Sequence, residues 1–180
     1  MQRVGKVVAP QPVKLFVGFI TNDLAILKKA ERELMRKFGP VQSESPLFEF
    51  NFTSYYTGEF GNNLKRKFIC FKRTRSPENA QSIKIQTNRL EEKFSRVGKR
   101  RINIDPGYLT LSKVILLTTK DYSHRIHLGK GMYAEVALSY KQKTFRPFAW
   151  TYPDYASRGY IDFFNRVRDG LLNELRRPPC

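Results

Sequence analysis

A compact apolar run, Val13–Ile20 (V-K-L-F-V-G-F-I), is succeeded almost at once by apolar residues at helical spacing, and this junction constrains the fold more than any other feature. The first segment reads as a buried strand. Asn22 is placed to cap a helix, because its side chain can accept from the first free N–H groups. Leu24, Leu27, Lys28, Glu31, Leu34, Met35 and Phe38 keep helical spacing, and the charges fall mainly on the other side. Gly39-Pro40 ends the helix: glycine takes the left-handed turn and proline prevents continuation.

The same reading continues along the chain. Pro46–Tyr56 alternates, with Phe48, Phe50 and Phe52 pointing one way and Glu49, Asn51 and Thr53 the other, so it is expected to be a strand. A loop containing Gly58 and Gly61 leads to a second strand, Lys67–Lys72. Ser76-Pro77 then opens a helix that runs to about Arg96 and closes at Gly98. Arg101–Ile104 reads as a strand, and Asp105-Pro106-Gly107 as a turn. Residues 13–105 therefore have the order β-α-β-β-α-β, the split βαβ order of ferredoxin-like folds.

After that turn the signals are mostly strand. Val114–Thr119 is one, and Arg125–Leu128 and Met132–Tyr140 flank the loop Gly129-Lys130-Gly131. A three-residue loop sets Leu128 opposite Met132, Ile126 opposite Ala134, His127 opposite Tyr133 and Arg125 opposite Glu135. The chain ends in an amphipathic helix from about Ser157 to Arg176, with Tyr160, Ile161, Phe164, Val167, Leu171, Leu172 and Leu175 on one stripe. The expected fold class is α+β: one domain over 1–180, with a βαββαβ core at 13–105. A β-rich extension and a C-terminal helix fill 106–180.

The formal charge of +17 is unevenly spread. Residues 41–64 hold three acidic groups and no basic one, whereas residues 65–101 hold 13 basic against 3 acidic. Such a concentration suits a polyanionic partner, since clustered cations release counterions from nucleic acid. Lys65, Arg66, Lys67, Lys72, Arg73 and Arg75, with Lys99, Arg100 and Arg101, are the candidate surface. The alternative is a solvated face that keeps the protein soluble. No apolar run reaches the length of a spanning helix or a signal peptide. Cys70 lies in an apolar run and Cys180 is the last residue, which suits a reducing compartment, so a cytoplasmic protein is expected.

Several chemistries fail on spacing. Gly129-Lys130 lacks both the earlier glycine and the subsequent Ser/Thr of a P-loop, those positions being His124 and Gly131. His124 and His127, as H-x-x-H on a strand, point to opposite faces and do not share a metal, so no metal site is expected. Leu15-Phe16-Val17-Gly18 and Phe68-Ile69-Cys70-Phe71 resemble parts of the strand motifs of RNA-recognition domains, which would make Phe16 and Phe68 base-stacking residues. Leu64-Lys65-Arg66-Lys67 replaces the basic-glycine half of that motif, and core aromatics are the competing reading.

A broader resemblance rests on three segments. Asn103-Ile104-Asp105-Pro106-Gly107-Tyr108-Leu109, Thr118-Thr119-Lys120-Asp121-Tyr122-Ser123-His124-Arg125-Ile126 and Trp150-Thr151-Tyr152-Pro153-Asp154-Tyr155 resemble the signature segments of a prokaryotic family, domain of unknown function 4416. Phe52-Thr53-x-Tyr55-Tyr56 and Thr87-Asn88-x-Leu90-Glu91 fit it as well. The resemblance implies no established activity and leaves any cofactor unknown, but it marks where chemistry would be built. Asp105, Lys120, Asp121, His124, Arg125 and Glu135 could support general acid–base work on a phosphorylated or anionic substrate. Tyr108, Trp150 and Tyr152 could bind it, with Lys113 and Asp154 nearby. Each has a structural alternative, such as turn capping by Asp105, an Arg125–Glu135 ion pair or a helix cap at Asp154.

These residues support two functions. The first is a binding protein for RNA or another phosphate-rich ligand through the basic surface. The second is an enzyme acting on a small phosphorylated or nucleotide substrate, and it requires the 105–154 residues to converge in one cleft. A third class, a partner-docking protein using segments 47–56 and 145–155, would need an exposed aromatic patch.

Overall fold

A computed structural model describes residues 5–53 and 55–176, so Cys180 and Met1–Val4 lie outside the described residues. The chain is α+β, with a nine-stranded antiparallel sheet and four helices among the described residues. Strand β1 (Val13–Thr21) leads to helix α1 (Leu24–Phe38) and the short strands β2 (Val41–Glu44) and β3 (Phe48–Glu49). A single-turn helix α2 (Thr57–Phe60) precedes β4 (Lys65–Arg75), α3 (Ala80–Phe94) and β5 (Asn103–Leu109). Strands β6 (Lys113–Thr118), β7 (Ile126–Gly129), β8 (Met132–Lys141) and β9 (Thr144–Pro147) lead to α4 (Arg158–Leu175). The sheet order is β2-β4-β1-β5-β6-β8-β7, with β3 added beside β4 and β9 beside β8. No helix among the described residues is long and apolar enough to cross a membrane.

Every residue of β1 is buried because the sheet is covered on both faces. Leu15, Val17 and Phe19, with Ile69 and Phe71 of β4, pack against Ile26, Leu27, Ala30 and Leu34 of α1 and Leu90 of α3. Phe16, Phe68 and Cys70 point the other way, under Tyr160, Phe163, Phe164, Val167 and Leu171 of α4. The period-two alternation of β1 and β4 thus feeds two cores, and each fully buried large side chain stabilises by about 1.5–3 kcal/mol. The base-stacking reading of Phe16 and Phe68 is overturned by α4, whose Phe164 ring lies 4.9 Å from Phe16 and whose Phe163 stacks on Phe68 at 5.6 Å.

Some boundaries differ from those expected, each for a physical reason. The cap of α1 is Asp23, not Asn22: its carboxylate accepts from the N–H groups of Ala25 and Ile26, both at 3.0 Å. Those bonds hold the Asp23 carboxyl below its ordinary value, helped by Arg101. A depressed carboxyl adds stability above its unfolded-state pKa of about 3.9, and that stability is lost as pH falls through the folded value. Asp23→Ala should therefore cost about 1 kcal/mol at neutral pH by urea unfolding, with the deficit vanishing in strong acid.

The alternating segment Pro46–Tyr56 forms only the two-residue β3, and the strand that pairs β4 along its length is instead Val41–Glu44. Phe50 turns into a small apolar cluster with Ile20, Phe60 and Leu64. Ser76 makes a local turn with Glu78, and Asn79 adopts a left-handed φ of 63°, so α3 begins at Ala80 rather than at Pro77. The hairpin keeps the expected pairs Ile126↔Ala134 and His127↔Tyr133. Its turn has two residues, Lys130 and Gly131, both at positive φ, and an irregularity at Leu128 absorbs the difference, placing Gly129 rather than Leu128 opposite Met132.

Asp105-Pro106-Gly107 is not a turn but the middle of β5. Pro106 then explains a gap in the sheet. The N–H and C=O of Ile104 face away from β1 and are taken by side chains of α3: Glu91 accepts the N–H, and Lys84 donates to the carbonyl at 3.1 Å. By strand parity Pro106, two residues on, turns its nitrogen toward β6 and has no hydrogen to donate. Pairing between β5 and β6 accordingly covers only Gly107↔Leu116, Tyr108↔Ile115 and Leu109↔Val114, and the strands part beyond it.

Candidate functional site

A cleft of about 750 Å³ opens where β5 and β6 diverge. Apart from Leu117, its strand residues lie on the α4 side of the sheet. Arg66 pairs with Ile20, Ile20 with Asn103, and Leu116 with Glu135, so these lining residues share one face. Lys84, Asn88, Glu91 and Glu92, one face of α3, close one wall. Tyr55 and Tyr56 come from the segment before α2, and Tyr152, Asp154 and Tyr155 from the segment before α4. Five Lys/Arg and five Asp/Glu side chains line the cleft, so its charge is balanced rather than uniformly basic.

Arg66 lies at the floor and is 1% exposed. It donates to the Tyr155 hydroxyl at 2.8 Å and stands 3.5 Å from Asp105 and 3.8 Å from Asp154. The rings of Phe68 and Tyr155 flank the guanidinium at 4.6 and 5.2 Å, an arrangement that suits a weakly hydrated planar cation. Asp105 also sits 3.5 Å from the Lys84 ammonium and accepts from Asn103. Burial raises the carboxyls of Asp154 and Glu91, the partial opposition of Arg66 and of Lys84 notwithstanding. Arg100 makes a two-pronged bond to Glu59 at 2.6 and 2.8 Å and reaches Glu91 at 3.3 Å.

The other wall is organised by Arg125. Its Nε donates to Glu135 Oε2 at 2.7 Å, Nη1 to the Lys120 carbonyl at 3.0 Å and Nη2 to the Tyr152 hydroxyl at 2.8 Å. Burial works against the Arg125 charge, and Glu135 and Tyr152 together more than offset it. His124 Nε2 lies 3.0 Å from the same Oε2, and since a carboxylate only accepts, Nε2 carries the proton. The His124 ring stacks on Trp150, whose other neighbour is Phe148 at 4.7 Å. Lys120 donates to the Tyr55 hydroxyl at 3.0 Å across the mouth, and that bond lowers the Tyr55 pKa.

The sequence-derived residues therefore divide. Asp105, Lys120, Arg125, Glu135 and Tyr152 line the cleft, and His124 contacts it only through Glu135. Asp121 is exposed on the loop after β6, and Tyr108, opposite Leu15, faces the other side of the sheet. Trp150 is fixed outside the lining by donating to the Val136 carbonyl at 3.0 Å.

The basic stretch does not form one surface, because alternate residues of β4 lie on opposite faces. Arg66 is in the cleft floor, whereas Lys67 bridges Glu31 and Glu44 at 2.8 Å each and Lys65 pairs with Glu49. Arg75 donates to the Phe38 carbonyl, Arg101 pairs with Asp23, and Lys72, Arg73 and Lys99 are exposed.

Lys84, Glu91 and Asn103 join the lining without having been expected there, and Arg66, expected on a basic surface, is buried at the cleft floor, while the partly exposed Arg100 lines the cleft. The signals were present: Arg66 alternates with Phe68 and Cys70 on one strand face, and Lys84, Asn88 and Glu91 share one helix face.

A family model described as Domain of unknown function (DUF4416) matches residues 11–170. The chain belongs to this family. The match spans all the strands, and every residue lining the cleft falls within it. No curated protein and no solved structure matches the chain.

Proposed function

We propose that the cleft is the functional centre and that the chain is an enzyme acting there on a small phosphorylated or nucleotide substrate. The observation that carries this reading is convergence. Asp105 on β5, Lys120 and Arg125 on the loop after β6, and Glu135 on β8 come to one cavity of a size that holds such a molecule. Tyr55, Tyr56 and Tyr152 bring aromatic rings to the lining, where a planar group could pack. Asp154 and Glu91, raised from their ordinary values by burial, are suited to give a proton, and Arg66 and Lys84, which oppose that shift, favour the carboxylates that remain afterwards. The sheet order β2-β4-β1-β5 with α1 and α3 on one face supports a ferredoxin-like split βαβ unit as the scaffold.

Titration calorimetry with nucleoside mono- and triphosphates and their unphosphorylated nucleosides tests this reading. At least one phosphorylated compound should bind, and Lys120→Ala should weaken it by roughly tenfold, leaving the matching nucleoside within about twofold. Absence of binding by every phosphorylated compound would remove the reading. The exposed Lys72 and Arg73, which have no carboxylate partner among the described residues, support a second one, RNA or another polyanion as partner. Retention of RNA that falls steeply with salt, and is insensitive to Lys120→Ala, would favour it.

A further inference from the structure

Glu135 is the most enclosed carboxylate of the cleft, its side chain only 1% exposed. Its two oxygens differ sharply. Oε2 accepts from both Arg125 and His124, whereas Oε1 is buried and has no hydrogen-bond partner among the described residues. A buried carboxylate oxygen without a donor is costly, and in native structures such an atom is met by a water or a ligand. A cationic donor is disfavoured there, because the Arg125 guanidinium already sits on the other oxygen. A neutral hydroxyl suits the remaining acceptor.

The opposite condition holds at Lys120. Arg66, Lys84, Arg100 and Arg125 all face carboxylates, but the Lys120 ammonium contacts only the Tyr55 hydroxyl and ring. It is the lining cation that no carboxylate offsets among the described residues. Arg125 ties the two places together, since one guanidinium holds Glu135 Oε2 and the backbone carbonyl of Lys120.

We propose that Glu135 Oε1 and Lys120 Nζ are the two poles of one subsite for a phosphorylated sugar. Glu135 accepts a hydrogen bond from a sugar hydroxyl, and Lys120 faces the phosphate in place of the Tyr55 hydroxyl. This deepens the reading of the cleft as a phosphorylated-ligand site and rests on it.

Ribose 5-phosphate, ethyl phosphate and inorganic phosphate are suitable probes, with binding monitored by phosphorus NMR titration. On the unaltered protein ribose 5-phosphate should bind at least about tenfold more tightly than ethyl phosphate, which lacks the hydroxyls. Glu135→Gln should erase that difference and leave ethyl phosphate within about twofold. Tyr55→Phe should tighten all three probes, because the phenol hydroxyl competes for Lys120. Equal affinity of the unaltered protein for ribose 5-phosphate and ethyl phosphate would overturn the proposal even if Glu135→Gln failed to fold. Equal weakening of both probes by Glu135→Gln would also overturn it, making Glu135 a scaffold for Arg125 only. If nucleotides bind in a Lys120-dependent way while ribose 5-phosphate does not, the subsite assignment falls and the broader reading stands. If no phosphorylated compound binds, both fall.

Discussion

Gly107→Ala should destabilise the protein by about 3 kcal/mol or more, lowering the melting temperature by roughly 6–12 °C, because the position has no room for a methyl group. A Cβ built on Gly107 would lie 2.3 Å from the backbone carbonyl oxygen of Ile115 and 2.4 Å from the Phe16 ring. The first contact is with main chain, so relief requires β6 to move away from β5. The second is with a ring held in place by Phe164 of α4 at 4.9 Å. Gly107↔Leu116 is the last pair before the two strands part, so a shift there would widen the cleft as well as weaken the sheet. Thermal unfolding monitored by circular dichroism measures the first effect. Phe16→Leu should cost less in the Gly107→Ala background than in the unaltered protein, since there it also removes one of the two clashes, and an equal cost in both would place the strain wholly at the Ile115 carbonyl. A melting temperature unchanged by Gly107→Ala alone would show that β5 and β6 slide freely, contrary to their close packing.

Elements were legible in the sequence to the extent that their signals are local. Helix α1 carried its own periodicity and its Gly39-Pro40 stop, and α4 its long apolar stripe, so both lay close to their expected bounds. The β7–β8 register was legible in part: Ile126↔Ala134 and His127↔Tyr133 hold although the turn is one residue shorter than expected, because the irregularity at Leu128 restores the alternation. Its consequence, Arg125 beside Glu135, gave the one correct contact in the site. The failures share another cause. Phe48, Phe50 and Phe52 alternate like a strand, yet Phe50 is drawn into the cluster of Ile20, Phe60 and Leu64, a demand set by residues distant in sequence. Val41–Glu44, one apolar residue among polar ones, gives no such signal and becomes a strand because the β4 edge beside it needs a partner. Asp-Pro-Gly favours turns locally, but the ladder with β1 holds Pro106 opposite Val17. The site was half legible for the same reason. Residues close in sequence could be grouped, but Arg66 meets Asp105 and Asp154 only through the sheet and the α4 approach, and its charge suggested solvent.

Arg66→Met should cost about 3–5 kcal/mol at neutral pH, more than any surface cation of the same stretch, and the loss should shrink in acid. The guanidinium is the shared counter-charge of Asp105 and Asp154, and methionine keeps only its apolar stem, leaving Asp105 to Lys84 and stranding the buried Asp154 carboxylate. Asp154 already titrates above its ordinary value because of burial, with Arg66 opposing that shift. Removing Arg66 removes the opposition and raises it further. An acid whose folded pKa lies above its unfolded one, about 3.9, favours the folded state fully below that value and loses the advantage as pH rises through the folded value. The variant's deficit relative to the unaltered protein should therefore be small near pH 3 and grow as pH rises, levelling off above the new folded pKa. Urea unfolding at a series of pH values reads this directly. Asp154→Asn combined with Arg66→Met should recover a large part of the loss at neutral pH and little of it near pH 3, because the amide removes the stranded charge. By contrast Lys65→Met, which severs only the exposed pair with Glu49, should change stability by about 1 kcal/mol or less. A deficit for Arg66→Met that stays constant with pH would locate its cost in lost packing against Phe68 and Tyr155 rather than in the carboxylates it leaves behind.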